Sequence, residues 1–279
     1  MISVFQALSL LTPYDIDKPK IRLGPQSDGG YIFADDLSPS QAVISFGIST
    51  EYRFDAEMAD MGHDVYMFDH TIDGISATSS RMHFFKEGVA GVSTPGERLY
   101  SIEDHLERHN IAGDRLILKI DVEGAEFDSI SQTSDECLGR FEQIALEVHN
   151  LHLLEDGNFR SQFAKMFQKL NRQFTLFHVH ANNYDGADGY KFVQGLPVSN
   201  LLELSYIRTR SVTRSPSKTV YPTTLDAPCI RGLDKLLWFY PFAPSSASAG
   251  EFAASYDRNM LMHERNALLF ELNVLKASR

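Results

Sequence analysis

Residues 115–120, RLILKI, are apolar almost throughout and run directly into DVEGAE. A short run without polar alternation is expected of a strand inside a sheet covered on both faces, which is the situation of a parallel sheet wrapped in helices. The rest of the chain repeats this theme. AVISFG (42–47) reads as an apolar strand ending in glycine, and Phe54, Met58 and Met61 then recur at helical spacing. DVYMFD (64–69) is a second strand with an acid at its end, after Gly62 has supplied a helix stop. Further strands are expected near 84–90, at QIALEV (143–148), at FTLFHV (174–179) and at LLELSYI (201–207). Ser101, with Asp104 three positions on, introduces a helix over 101–109 in a variant of the capping box. Glu126 to Ile130 open another helix, and Phe159, Phe163, Phe167 and Leu170 mark a third over 159–171. Strand and helix in alternation predict a doubly wound α/β sheet whose ligand crevice lies beyond the carboxyl ends of the strands.

The balance of 26 Lys+Arg against 37 Asp+Glu, a formal charge of −11, disfavours a surface that grips phosphate backbones, so no nucleic-acid partner is expected. No apolar run approaches the roughly 20 residues of a membrane-spanning helix, so no membrane partner is expected either. Cys137 and Cys229 fall in no metal or redox spacing, and the N-terminus lacks the pattern of a signal peptide, which together predict a cytoplasmic protein. The chain divides into an N-terminal segment with a DGG turn (1–41), an α/β domain (42–212), a proline- and serine-rich irregular linker (213–250) and a C-terminal amphipathic helix (251–279). Leu261, Leu268, Leu272 and Leu275 form an apolar stripe on that helix, which either docks on its own domain or makes a homodimer contact.

The polar residues at strand ends carry the chemistry. Gly47, in FGIST, stands where nucleotide-binding folds bring backbone close to a ligand, though a tight turn into the helix explains it as well. Asp69, in MFDHT, can accept both hydroxyl protons of a ribose; a capping or solvated turn acid is the plain alternative. Asp28, Gly29 and Gly30 make a turn whose amides can bind a carboxylate, and a hairpin turn is equally economical. Lys119, Asp121 and Glu123 alternate along one side of an extended segment, while Glu147 and His149 share parity on the next strand. Asp121, Glu147 and His149 form an oxygen and nitrogen ligand set for a divalent metal such as Mg or Mn, or an acid–base group without one. His178 and His180, in LFHVHANN, share a face; His180 can take a proton near neutral pH, against a structural role for either imidazole. His152 is a substrate contact or plain surface.

LKIDVEGAE (118–126), read with DGGYI, FGIST, MFDHT and ALEVH, resembles the FkbM-type branch of S-adenosylmethionine-dependent methyltransferases over residues 20–208. The resemblance implies a class I, Rossmann-like sheet of seven mostly parallel strands with an antiparallel last strand, the place filled by LLELSYI. It implies S-adenosylmethionine as cofactor, with the Asp28–Gly29–Gly30 turn, Gly47 and Ser49 near its methionine part. Asp69 would hold the ribose hydroxyls, and KEGVAG (86–91), hence Gly88 and Val89, would edge the adenine pocket. Asp121 becomes the active-site acid beside the cofactor, and Glu147 falls where relatives keep metal ligands, with His149 in place of a second adjacent acid. The glycine-rich first motif is thinned to one glycine, since Ser49 and Glu51 occupy the turn. The expectation is an O-methyltransferase acting on a hydroxyl of a sugar or glycosylated small metabolite, with Asp121, His149 and His180 as catalytic residues. The alternatives are N-methylation of a small molecule or protein and a noncatalytic cofactor-binding or assembly protein. A nicotinamide dehydrogenase is disfavoured by the missing pyrophosphate-binding glycines.

Overall fold

The computed structural model describes residues 2–38, 41–184, 190–230 and 234–244, together with Asp257, Leu261, Glu264, Arg265, Leu268, Leu272, Leu275 and Lys276. One central sheet contains β1 (Val43–Phe46), β2 (Val65–Phe68), β3 (Met82–Phe85), β4 (Leu116–Ile120), β5 (Phe141–Val148), β6 (Phe174–His180) and β7 (Leu202–Arg208). Their spatial order is β6-β7-β5-β4-β1-β2-β3. Pairings among β1 to β5 are parallel, and β7 runs antiparallel to both β5 and β6. The predicted class I sheet is therefore present, with LLELSYI as its antiparallel strand. The order reverses between β1 and β4, so a crevice opens where their carboxyl ends part.

Burial explains why the strands read so plainly. Every residue of β4 and of β5 is buried, as an apolar run covered on both faces requires. Alternation survives inside that burial: Leu116, Leu118 and Ile120 join one core cluster, while Ile117 joins the cluster on the other face. The strand expected near 84–90 ends at Phe85; Gly88 and Val89 turn away to pair with Leu99 and Tyr100.

The helices are α1 (Val4–Ser9), α2 (Arg53–Asp60), α3 (Ile102–Arg108), α4 (Glu126–Gln132), α5 (Asp135–Leu138) and α6 (Gly157–Gln173). Ser101 caps α3 by accepting from the Asp104 amide, as its position predicts. The Asp104 side chain does not complete a capping box, because it binds the Ser93 hydroxyl instead. In α6 the predicted stripe buries Phe163, Phe167 and Leu170.

Both flanking segments belong to the main fold. Val4, Ala7, Leu8 and Leu11 enter the larger core, and Gln143 of β5 exchanges two hydrogen bonds with the Ala34 backbone, at 2.8 and 3.0 Å. The stretch expected to be a loose linker is irregular but, where described, packed. Arg214–Pro216 pairs with Tyr14–Ile16, and Tyr221, Leu237, Phe239 and Phe242 are buried in the core. Prolines deny this stretch regular hydrogen bonding, yet its aromatic and leucine side chains have apolar surface to lose. Residues 245–256, including the end of PFAPSSASAG, lie outside the described residues. Leu261, Leu268, Leu272 and Leu275 are helical and exposed; the docking or dimer contact expected of their helix also lies outside what is described. Among the described residues no helix is long and apolar enough to cross a membrane.

Candidate active site

β4 delivers Asp121 to the crevice, and the chain then turns through Glu123 and Gly124, both at positive φ, into α4. Glu126, the first residue of α4, is fully buried because it binds on two sides. Its Oε2 accepts from the Gly124 amide at 2.7 Å, while its Oε1 accepts from the His149 amide at 3.1 Å and from His149 Nδ1 at 3.2 Å. The imidazole is thereby fixed in orientation, and its other nitrogen faces the crevice. Nε2 lies 3.7 Å from Asp121 Oδ1, 3.4 Å from Glu123 Oε2 and 3.7 Å from Glu147 Oε1. Asp121, Glu147 and His149 meet as the strand parity predicts.

Glu123, which the alternation through 119–123 places on the same side as Asp121, joins them. One ligand atom each from Asp121, Glu123 and His149 lie within 4.8 Å of one another, close enough to share a cation. Burial opposes charge on His149, but its bond to Glu126 and the charges of Glu126, Asp121 and Glu123 outweigh that and raise its pKa. Glu147, nearly buried, is pushed well above the usual carboxyl range by burial and by Asp121, Glu203 and Asp28. Asn182 donates to Glu147 at 3.0 Å.

Asp121 is supported from two directions. The Tyr31 hydroxyl donates to its Oδ2 at 3.3 Å, and burial together with the surrounding carboxylates keeps that phenol neutral. Lys119 Nζ stands 3.9 Å from the same oxygen and donates to the carbonyls of Phe46 and Gly47. Gly47 has φ +77, and a Cβ there would lie 1.6 Å from the Asp121 carbonyl oxygen. Only glycine lets the β1 and β4 loops approach so closely.

The remaining predicted cofactor residues lie in the hairpin that precedes β1 and in the segments after β1, β2 and β3. The DGG turn is the connection of a hairpin formed by Lys20–Leu23 and Tyr31–Ala34, and Gly29 packs so closely on Glu51 that a Cβ would meet its Cγ at 2.8 Å. The hairpin reading holds, and the turn packs beside the loop after β1. Asp28 is raised by partial burial and by Glu203 and Asp121. Asp69 Oδ2 accepts from the Ile48 and Ser49 amides at 2.9 Å each, and Oδ1 accepts from the Thr71 amide at 2.7 Å and its hydroxyl at 2.6 Å. All four lone-pair positions of the carboxylate are thus taken. Asp69 braces the FGIST loop, and a ribose hydroxyl would have to displace Thr71. Gly88 and Val89 are buried, and a Cβ on Gly88 would meet His70 Nδ1 at 2.4 Å, which sets this segment beside the Asp69 turn.

His180 does not fit the role of base. Its Nδ1 donates to Glu203 at 2.8 Å and its Nε2 to Asp234 at 2.8 Å, so no lone pair is left to receive a proton. Burial works against its charge, but Asp234 and Glu203 overcome it and raise its pKa well above the ordinary value. His178 is bound to Asp226 at 2.7 Å and His152 to Asn200, both structural arrangements. Sequence reasoning placed Glu126 at a helix start without seeing its bond to His149. Glu203 and Asp234 gave no sequence signal, since one sits on an antiparallel strand and the other in the stretch read as linker.

A predicted O-methyltransferase from Agrobacterium tumefaciens is similar over 73% of this chain and 80% of its own, at 10% identity and a TM-score of 0.33, a likeness too distant to bear on the reaction. No curated protein matches the chain. Residues 39–185, more than half of the sequence and including β1 to β6 with the Asp121 and His149 loops, match the model of the methyltransferase FkbM domain, and the chain belongs to that family of methyltransferases.

Proposed function

We propose that this methyltransferase moves the methyl group of S-adenosylmethionine to a hydroxyl of a sugar or glycosylated small metabolite, with a divalent cation such as Mg or Mn at Asp121, Glu123 and His149. The observation that carries this reading is the convergence of Asp121, Glu123 and Glu147 on one imidazole nitrogen at the switch point of the sheet. The donor set suits a hard cation: carboxylate oxygens and one imidazole whose far nitrogen is bound to Glu126. A wall of carboxylates also suits a cationic sulfonium donor. When bound, the cation would lower the pKa of the acceptor hydroxyl, and the sulfonium would supply the electrophilic methyl carbon.

The chain's own residues then align and deprotonate. The acceptor oxygen attacks the methyl carbon as the carbon–sulfur bond breaks, so the reaction depends chiefly on in-line alignment and removal of one proton. Asp121 is the acceptor of that proton, kept in place by the Tyr31 hydroxyl and beside the Lys119 ammonium. Glu126 holds His149 in orientation, and Asn182 bridges Glu147 to Glu203, with contacts of 3.0 and 3.4 Å. Gly47, Ser49, Asp69, Gly88, Val89 and the Asp28–Gly29–Gly30 turn line the donor side.

The clustering of Asp28, Asp121, Glu147 and Glu203 favours one second reading, an amine acceptor and N-methylation, since four acids draw a cation of any kind. Mass-spectrometric detection of methyl transfer across glycosides and amines, with and without a chelator, separates the two. Asp121→Asn is expected to lower transfer roughly 100-fold or more, the loss typical of a missing acid–base group. Unchanged transfer and donor affinity in that variant would sink the assignment, and transfer to amines that survives exhaustive chelation would favour the second reading.

A further inference from the structure

We propose that Glu87, His105 and His109 form a binding site for a zinc-like divalent transition metal, built from different residues than the Asp121 group and independent of the reading of the acceptor. Glu87 follows β3, and the two histidines stand one helical turn apart at the end of α3. His109 Nε2 lies 2.9 Å from Glu87 Oε2, and His105 Nδ1 lies 3.5 Å from that same oxygen. All three ligand atoms fall within 4.8 Å of one another. A tetrahedral zinc ion with bonds of about 2.0–2.1 Å separates its ligand atoms by roughly 3.3 Å, so small movements convert this cluster into a coordination site.

His105 is the telling residue. It is fully buried, its Nε2 donates to the Gly88 carbonyl at 3.1 Å, and its Nδ1 has no hydrogen-bond partner. A buried polar nitrogen without a partner costs stability unless something occupies it. With the proton held on Nε2 by Gly88, the lone pair of Nδ1 is free and faces Glu87. A metal-binding histidine usually has this arrangement, the second nitrogen donating to a backbone carbonyl.

The surroundings select the class of ion. Phe68 lies 4.3 Å from the His105 ring and Phe85 lies 3.9 Å from the His109 ring, centroid to centroid, so apolar walls enclose the imidazoles. Arg108 donates to Glu87 Oε1 at 3.0 Å, which leaves Oε2 as a single-oxygen ligand. Two imidazoles and one carboxylate oxygen suit zinc, and do not suit the oxygen-preferring magnesium or calcium. Glu87 and His109 keep 16% and 13% of their side-chain surface exposed, enough for entry of the ion and for a water in the fourth position. Binding replaces the hydrogen bond between His109 Nε2 and Glu87, whose proton passes to solvent, and it reinforces the link that His105 makes between α3 and Gly88.

The test uses the full chain in an Asp121→Asn, Glu123→Gln background, stripped with a chelator and dialysed, so that the acid cluster does not compete. Zinc is titrated against a chromophoric chelator, and cobalt(II) is followed by its visible absorption. We expect one equivalent of zinc and an intense tetrahedral cobalt band. Adding Glu87→Gln or His109→Gln, each checked for unchanged far-ultraviolet circular dichroism, is expected to weaken zinc binding at least tenfold and abolish the band. The proposal is overturned if the background protein takes up no equivalent and shows no tetrahedral band, or if a folded Glu87→Gln or His109→Gln variant binds as before. The cobalt spectrum of the background protein decides the matter even should both added substitutions unfold the chain.

Discussion

Asp55 is a carboxylate on the core side of α2, only 2% exposed, and its Oδ1 has no hydrogen-bond partner. Burial raises its pKa from 3.8 to about 6, a shift that nearby Lys119 reduces but does not cancel. The folded state therefore prefers the protonated acid. That preference contributes stability that is complete below about pH 4 and is lost as pH rises through about 6, where the fold must carry a buried charge. A displacement of this size corresponds to roughly 3 kcal/mol. Asp55→Asn, which keeps the shape and removes the titration, is expected to raise the melting temperature at pH 8 and to change little at pH 4. Thermal unfolding at the two pH values measures this, and an equal effect at both would show that charge is not the cause.

Elements in this protein owe their positions to caps as much as to apolar stripes. α6, the longest of the helices α1 to α6, is capped by Asp156, whose Oδ1 accepts from the amides of Asn158 and Phe159 at 2.8 Å each. Those two amides have no partner inside the helix, so the side chain replaces bonds that the first turn lacks. Asp156→Ala is expected to cost about 1 kcal/mol, read as a lower urea midpoint at unchanged slope. α4 uses a different device. Its first residue, Glu126, turns back to the Gly124 amide and outward to His149, so one carboxylate shapes the loop after β4 and aims an imidazole from β5.

At the scale of the whole molecule, the described part of 213–244 straps the carboxyl end of β6 and the amino end of β7, which lie side by side because the two strands are antiparallel. Asp226 binds His178 and Asp234 binds His180, both 1% exposed. Removing one partner of a buried charged pair leaves the other uncompensated, which typically costs several kcal/mol. Asp234→Ala is expected to lower stability by roughly 3 kcal/mol and to open 213–244 to limited proteolysis. An unchanged melting temperature with unchanged cleavage would mean that the strap is held by Tyr221, Leu237 and Phe239 alone. Glu203, which accepts from Asn182 at 3.4 Å and acts electrostatically on Asp28, binds the same imidazole as Asp234.

The sequence by itself determined the seven strands, the main helices and the acids that follow β2 and β4, because burial on one or both faces leaves a periodic trace in neighbouring residues. The meeting of Asp121, Glu147 and His149 was legible for the same reason: parity along adjacent strands places side chains on a common side. Tertiary structure alone decided what each polar atom is bound to. Glu126 reaches His149 across 23 positions and Asp234 reaches His180 across 54, contacts that exist only once the strand order and the strap are in place. Such contacts give His180, read as a base, two carboxylate partners, give Asp69 the amides of the FGIST loop, and pack the described part of the expected linker into the core. Local pattern records which face is buried; hydrogen bonds between distant segments leave no such periodicity, so they had to be seen in three dimensions.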